Sequence, residues 1–457
     1  MKLLRQRPLA ALLAAEVVST TGAQMTWLAL PWFVLTTTGS PARMGIVMAV
    51  ELSPLAFFGI VSGSVVERIG ARRAMLVCDL ARAPTMALIP LLHWLGVLSF
   101  PLLLALVFLL GIFWAPYFSS QRIILPELVG EDESVLAQAN ALFQGATRLT
   151  LVLGPAVAGV LLGLIGPLAV LVLDAATYLV AFVLVAAFVP DGRRSAERGD
   201  ARGVLAGVRF LLRDPLLGPL TVTNAVVEMV FQALVAAVPV LVFVRYGADA
   251  RIAGWLFASW GAGSFVGNLA VYRIVERVRL LPLACLGVVL QALAVWPLVA
   301  ETPAAVVGVA LLFLGLCNGL AAAPLFGILA ARTPPYLRAK VITANVTLGM
   351  LAGPLGLAVA GPALQELGTQ PVLTAIAVIW TTAALAFVLV ALHRRDTVGF
   401  VEPARTVAPG APEGQATFQA VDGPPNRRRV VRGELDEKAS AVEELSLFGP
   451  GMGGENS

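Results

Sequence analysis

The chain has 457 residues, of which 58% are hydrophobic and only 13% charged, with a formal net charge of +4. Soluble domains average roughly 45–50% apolar and about 25% charged residues, so an ordinary soluble enzyme, a disordered protein and a secreted disulfide scaffold are excluded. What remains is an all-α polytopic membrane protein.

A membrane helix needs about 20 mostly apolar residues to cross about 30 Å of hydrocarbon. On that measure the chain reads as twelve transmembrane helices, at 9–35, 44–66, 74–96, 100–121, 137–165, 168–190, 216–244, 252–273, 280–299, 303–326, 338–364 and 371–393. Lys2, Arg5 and Arg7 precede the first run as they would in a signal peptide. The run is too long for an h-region and no small-residue cleavage site stands out, so it is read as an uncleaved first membrane helix. Cys78, Cys285 and Cys317 lie in apolar runs and read as small buried hydrophobes. His93 and His393 have no metal-ligand spacing, so no metal is expected.

Loop charge sets the orientation. With a cytoplasmic N-terminus, the inner segments up to residue 395 hold twenty-one Lys and Arg, and the outer loops hold three, Arg43, Arg245 and Arg251. Both termini are therefore expected in the cytoplasm. Basic residues dealt out between apolar runs make no patch for nucleic acid.

Residues 191–214 form the longest polar break before the tail. They divide the helices into two six-helix bundles, 1–190 and 215–395. Within the break Val204, Leu205, Val208, Leu211 and Leu212 alternate with Arg202, Arg209 and Arg213 at helical spacing. That pattern predicts a short amphipathic helix on the inner membrane surface. Residues 396–457 are rich in Pro, Gly, Glu and Arg and net acidic, which predicts a disordered cytoplasmic tail.

The halves read as a pseudo-symmetric repeat. Pro31 pairs with Pro239 and Pro116 with Pro324, each 208 residues apart; Gly154-Pro155 pairs with Gly353-Pro354, and Gly63 with Gly267. Transporters built from two parallel halves show such weak symmetry. None of the three lysines follows a glycine, so the chain has no P-loop and is not expected to use ATP.

The stretch Gly63 to Arg73, GSVVERIGARR, lies between helices 2 and 3. It resembles the loop signature of the major facilitator superfamily, Gly-x-x-x-Asp-Arg-x-Gly-Arg-Arg/Lys-Arg/Lys. Gly63, Arg68, Gly70, Arg72 and Arg73 match, Glu67 replaces the usual Asp, and Ala71 replaces a base. The resemblance implies the twelve-helix, two-bundle fold and a loop that latches the halves together on the inner side. In the second half Arg273, Arg277 and Arg279 keep the charge, but Val271 stands where the acid belongs, so a weaker latch is expected there.

Gly145, followed by Gly154-Pro155-Ala-Val-Ala-Gly159, resembles the fifth-helix signature of drug–proton antiporters of this superfamily, with Ala158 in place of one Gly. Gly-Pro inside a helix removes a backbone bond and kinks it. GxxxG spacing recurs at Gly59/Gly63, Gly159/Gly163, Gly263/Gly267 and Gly349/Gly353, in helices that form the interface between halves in the family. Gly315/Gly319 in helix 10 adds a further pair. Gly-Ser-Pro at 39–41, Cys-Asp-Leu-Ala-Arg at 78–82, Leu-Pro-Glu-Leu-Val at 125–129, Ala-Asn-Ala-Leu at 139–142 and Arg-Phe-Leu-Leu-Arg-Asp-Pro at 209–215 are most similar to the macrolide-exporter and enterobactin-exporter branch.

Ionisable residues inside the bilayer are costly and are functional candidates by default. They are Glu16, Glu51, Asp79, Arg82, Arg148, Asp174 and Glu228. Asp79 and Arg82, at i and i+3, read as a local pair, and Asp174 as an outer-end cap or pair. Glu16, Thr20 and Gln24 in helix 1, and Asn224, Glu228 and Gln232 in helix 7, each fall on one helix face. At symmetry-related positions they suggest a shared central cavity. A desolvated carboxyl can take and lose a proton near neutral pH, so Glu228, then Glu16, is expected to carry the coupling proton. Arg148 lies about 16 Å deep at 1.5 Å per residue, and Glu16 or Glu51 is its expected partner. Phe113, Trp114, Tyr117 and Phe118 offer rings to an amphipathic cargo or to lipid.

The resulting expectation is a non-enzymatic, monomeric exporter in the cell membrane. It takes amphipathic or hydrophobic small molecules in exchange for protons and needs no cofactor. A lipid flippase of the same fold and a non-transporting membrane sensor are the alternatives.

Overall fold

The computed structural model describes residues 6–130, 133–191, 202–274, 278–334 and 337–393. Twelve helical elements occupy them: α1 (Arg7–Thr38), α2 (Pro41–Ile69), α3 (Ala71–Trp94), α4 (Phe100–Val129), α5 (Glu133–Phe188), α6 (Arg202–Arg213), α7 (Leu217–Arg245), α8 (Ala250–Ile274), α9 (Leu280–Val299), α10 (Ala304–Arg332), α11 (Arg338–Leu367) and α12 (Thr369–His393). The tail from 396 onward, the side chains of Glu67 and Arg148 and the surroundings of Gly63 lie outside the described residues, and with them the expected partner of Arg148.

The protein is an all-helical, multi-pass membrane protein. α5 runs for 56 residues but turns at Gly166, where φ is +78°. At 1.5 Å per residue its length is about 84 Å, far more than one bilayer crossing, so its arms 133–165 and 167–188 are separate passes. A positive φ is open to glycine and costly for other residues, which fixes the turn at that position. Eight stretches of the described residues are long and apolar enough to span a membrane, in α3, α4, α5, α7, α9, α10, α11 and α12. α1, α2 and α8 are of similar length.

The connections are tight for local reasons. α1 ends on Gly39 in the left-handed conformation, with its N–H bonded to the Leu35 carbonyl. Ser40 then caps α2, accepting from the Arg43 N–H at 3.2 Å, and Pro41 supplies the first turn. Each residue of Gly-Ser-Pro thus does what its chemistry favours: stop, cap, start. Ser99 and Pro101 start α4 the same way. The turns at Gly39, Gly96, Gly166, Gly247 and Gly368 define one end of the molecule, here the glycine end. The opposite end carries Gly70, Gly130, α6 and Arg332, and is here the basic end.

In the first half α1 and α3 pack on α5, and α2 and α3 on α4; in the second, α8 and α9 pack on α10, α7 on α11, and α12 on α7 and α9. Across the halves the main contacts are α2 with α11 and α5 with α8. α6 is helical and two-faced, but its apolar side is not laid on lipid alone. Leu211 is fully buried with Leu217, Leu329, Val341 and Ala344, and Gly207 lies against the Lys340 carbonyl. Leu212, Arg209 and Arg213 are exposed. Asp214 closes the connection: it accepts from the N–H groups of Leu216 and Leu217 and lies 3.6 Å from the Arg332 guanidinium.

Candidate transport site

Polar groups inside this apolar frame form two clusters. In the first half Arg82 of α3 is the one buried cation among the described residues. It donates to the Tyr178 hydroxyl at 2.8 Å. Its guanidinium carbon sits 4.1 Å from the Tyr178 ring centroid and 5.4 Å from that of Tyr117. Two aromatic faces stabilise a cation where water cannot. Among the described residues, more carboxyls lie around it than one guanidinium balances. Glu16 is buried and accepts from Thr20 at 2.8 Å and from Gln121 at 2.5 Å. Asp174 is buried and accepts from Thr26 at 2.6 Å and Thr177 at 3.1 Å. Glu51 of α2 is half-buried, with Gly111 of α4 packed on its backbone. Asp79 is fully buried, and neither carboxyl oxygen has a hydrogen-bond partner.

This corrects the reading of Asp79 and Arg82 as a local ion pair. The ion pairs among the described residues are Arg72–Asp191 and Arg332–Asp214; Arg82 turns instead to Tyr178, on the second arm of α5. Asp174, eight residues past the Gly166 turn, pairs with Thr26 of α1, in keeping with its reading as an outer-end cap or pair.

In the second half Glu228 is half-buried and accepts from Gln232 Nε2 at 3.2 Å. It lines a cavity of about 60 Å³ whose polar walls are Asn224, Gln291 and Asn318 and whose apolar walls include Phe231 and Trp380. A cavity of that size with several polar groups has room for a few waters. The indole N–H of Trp380 is buried without a protein partner. All lining residues come from α7, α9, α10 and α12. The two polar stripes therefore do not share this cavity: Glu16 looks into the first half toward Gln121, and Glu228 into the second.

The symmetry itself is visible in contact. A side chain added at Gly154 of α5 would collide with Gln24 of α1, and one added at Gly353 of α11 would sit 3.4 Å from Gln232 of α7. The four aromatics of α4 divide: Tyr117 joins Arg82, Phe113 packs in the core, and Trp114 and Phe118 stack in the open, 5.7 Å apart. Tyr178, Gln121, Gln291, Asn318 and Trp380 were not singled out from sequence. Being neutral, they give no signal in a search for charges within apolar runs.

A model of the Major Facilitator Superfamily matches residues 12–357. The chain belongs to this superfamily. It is 26% identical over 390 residues to the multidrug efflux pump Tap of Mycolicibacterium fortuitum, covering 81% of this chain and 93% of that protein. It is 28% identical over 384 residues to the uncharacterized MFS-type transporter y4rN of Sinorhizobium fredii, covering 83% and 92%. Among solved structures it is similar to the nucleoside transporter NupG, with a TM-score of 0.70 at 11% identity, covering 84% of this chain and 98% of that one. It is also similar to a bacterial homologue of the human lysosomal transporter Spinster in an inward-facing, unoccupied conformation, with a TM-score of 0.66 at 16% identity, covering 88% and 100%. At such identities the structures show the fold.

Within this major facilitator fold, the described residues of the loop signature contact the first half, while Glu67, the acid of the expected latch, lies outside the described side chains. Gly70 takes a φ of +91° between α2 and α3. Arg72 donates to Asp191 at 2.9 Å and to the Ala186 carbonyl at 2.8 Å, both at the end of α5 in the same half. Arg68 and Arg73 are exposed. Arg72 thus braces the first half internally. The pair is partly exposed, so its charge contributes about 0–1 kcal/mol, and the carbonyl bond about 1 kcal/mol more. Arg72→Ala is expected to lower the unfolding temperature of the purified protein, and Asp191→Asn to lower it less, because the Ala186 contact stays. Equal shifts in a thermal melt would show that the carbonyl contact contributes nothing.

The seam between halves is built by glycines, though mostly not by the GxxxG pairs. A side chain added at Gly45 of α2 would come within 2.6 Å of the Gly361 Cα on α11, and one at Gly159 of α5 within 2.6 Å of the Gly254 Cα on α8. Ser40 donates to Gln365 at 2.5 Å, and Trp27 meets Phe257 edge-on, centroids 5.5 Å apart. Of the expected pairs, Gly159/Gly163 faces the other half, where Gly163 meets Arg251. Gly263/Gly267 instead packs on the Leu312 and Leu316 backbone of α10, inside the second half. All these cross-seam contacts lie toward the glycine end. Nearer the basic end, Gly145 of α5 and Gly349 of α11 face open space.

Proposed function

We propose that this major facilitator protein is a secondary active exporter that expels amphipathic or hydrophobic small molecules in exchange for protons. The observation that carries the reading is an ionisable Glu228 on the wall of a polar cavity deep in a membrane helix, where a carboxyl is costly unless it works. The buried carboxyls around Arg82 support it, since that cluster can hold protons. The likeness to the efflux pump Tap supports export and drug-like cargo. The loop charges support a cytoplasmic basic end, and the seam of glycines at the other end supports a form open to the cytoplasm. Alternating access then exchanges that seam for one at the basic end.

The test is flux in proteoliposomes under an imposed pH gradient, with fluorescent cationic dyes, macrolides, siderophores and lysolipids as trial cargo. Accumulation of a drug-like cargo that collapses when a protonophore is added is the expected result. Transport of lysolipid alone would move the reading to a lipid flippase, and cargo flux indifferent to the protonophore would end the antiport reading.

A further inference from the structure

Asp79 is the least explained polar group among the described residues. Its side chain is 0% exposed and both oxygens lack any hydrogen-bond partner. The cation one helical turn away is within electrostatic reach, yet it donates to Tyr178 and leaves its own Nε unpartnered as well. An ionised carboxylate in that position would be desolvated with nothing to replace its water. At i and i+3 the two side chains are neighbours, so Arg82 can reach Asp79 by changing rotamer, with no movement of the backbone.

We propose that Asp79 is a proton-binding site and Arg82 the switch that reads it. In the form seen here Asp79 carries the proton and Arg82 is bonded to Tyr178. On release the carboxyl O–H breaks, the electron pair stays on the carboxylate, and the proton passes to water at one membrane face. Arg82 then leaves the Tyr178 hydroxyl for the new anion. The groups around the site bear on this exchange from every side: Cys78 on α3 itself, Glu16 from α1, Glu51 from α2, Tyr117 from α4, and Asp174 and Tyr178 from α5. Tyr178 is four residues after Asp174 on one arm of α5, and Asp174 is bonded to Thr26 of α1. A swing of Arg82 away from Tyr178 therefore changes what holds α3 to α5 beside the network that ties α5 to α1. The bearing of this switch on coupling rests on the antiport reading, whereas the protonation itself does not.

Infrared spectra of the purified protein in lipid nanodiscs, recorded against pH, test it. A protonated-carboxyl band is expected at neutral pH and is expected to be missing in Asp79→Asn. In Tyr178→Phe the ring stays but the hydroxyl that competes for Arg82 is gone, so the proton affinity read from the band should fall at least tenfold. An unchanged band in Asp79→Asn would overturn the protonation, and an unchanged affinity in Tyr178→Phe would overturn the switch. If Asp79→Asn does not fold, the Tyr178→Phe shift measured on protein with isotope-labelled aspartate decides. Failure of proton-driven export in liposomes would remove the antiport reading and leave these spectra untouched.

Discussion

Glu228→Gln is expected to abolish uphill export while leaving downhill flux of the same cargo in place. Glutamine keeps the shape of the side chain and can still accept from Gln232, which holds Glu228 at 3.2 Å. It also keeps a polar group on the wall shared with Asn224, Gln291 and Asn318, so the cavity survives. Only the ability to take and lose a proton is removed. For one proton exchanged per cargo molecule, a pH difference of one unit sustains about a tenfold cargo gradient, the equivalent of 1.36 kcal/mol. In proteoliposomes the wild-type protein should approach that ratio, and the variant should level off near one, with an initial rate that no longer depends on pH. Glu16→Gln is expected to behave differently. Both Glu16 oxygens are already occupied by Thr20 and Gln121, and an amide there turns an acceptor into a donor facing the Gln121 amide. Its main effect should be lower thermal stability. A Glu228→Gln protein that still builds the tenfold gradient would make Glu228 a packing residue and transfer the coupling to the first-half cluster.

The frame of this protein was legible in the chain because the bilayer reduces helix recognition to counting apolar residues between charges. The Gly-Ser-Pro turn, the break before α6 and the pairing of Gln24 with Gln232 could all be located by type and spacing. Direction could not. Asp79 and Arg82 stand at ion-pair spacing, but the guanidinium's true partner, Tyr178, is 96 positions away. GxxxG reports that some backbone comes close without saying which; for Gly263 and Gly267 it is α10, not the other half. Conversely Gly45, Gly254 and Gly361 make the seam as single glycines with no motif to announce them. The polar stripes of α1 and α7 each carry one bond along the helix, Thr20 to Glu16 and Gln232 to Glu228, but a periodicity of 3.6 gives the face and not the neighbour it meets. Once α9 and α12 close around α7, Glu228 faces its own half.

The same seam supplies the second large effect. Gly254→Leu should trap the transporter with its glycine end open and cut export by well over tenfold. A side chain at Gly254 would overlap the Gly159 Cα and come within 2.7 Å of the Pro155 carbonyl. Both are backbone, so nothing there can swing aside, and forcing a larger residue into a filled contact costs about 1–3 kcal/mol. Because the contact exists only when that end is closed, the cost falls on one conformation and shifts the populations by about 5–150-fold. Gly45→Leu should act the same way on the α2–α11 seam, where the Gly361 Cα stands 2.6 Å from the added carbon. Gly327→Ala is the control: its only close neighbour is a methyl of Leu280 at 3.3 Å inside the second half, which can yield. The readout is labelling of a cysteine placed at Phe257, buried against Trp27 across the seam, by a membrane-impermeant maleimide. Labelling should rise several-fold in Gly254→Leu and Gly45→Leu and stay at the background level in Gly327→Ala. If Gly254→Leu transports normally and labels no faster, the halves do not part along this line, and the glycine contacts are static packing rather than a closing surface.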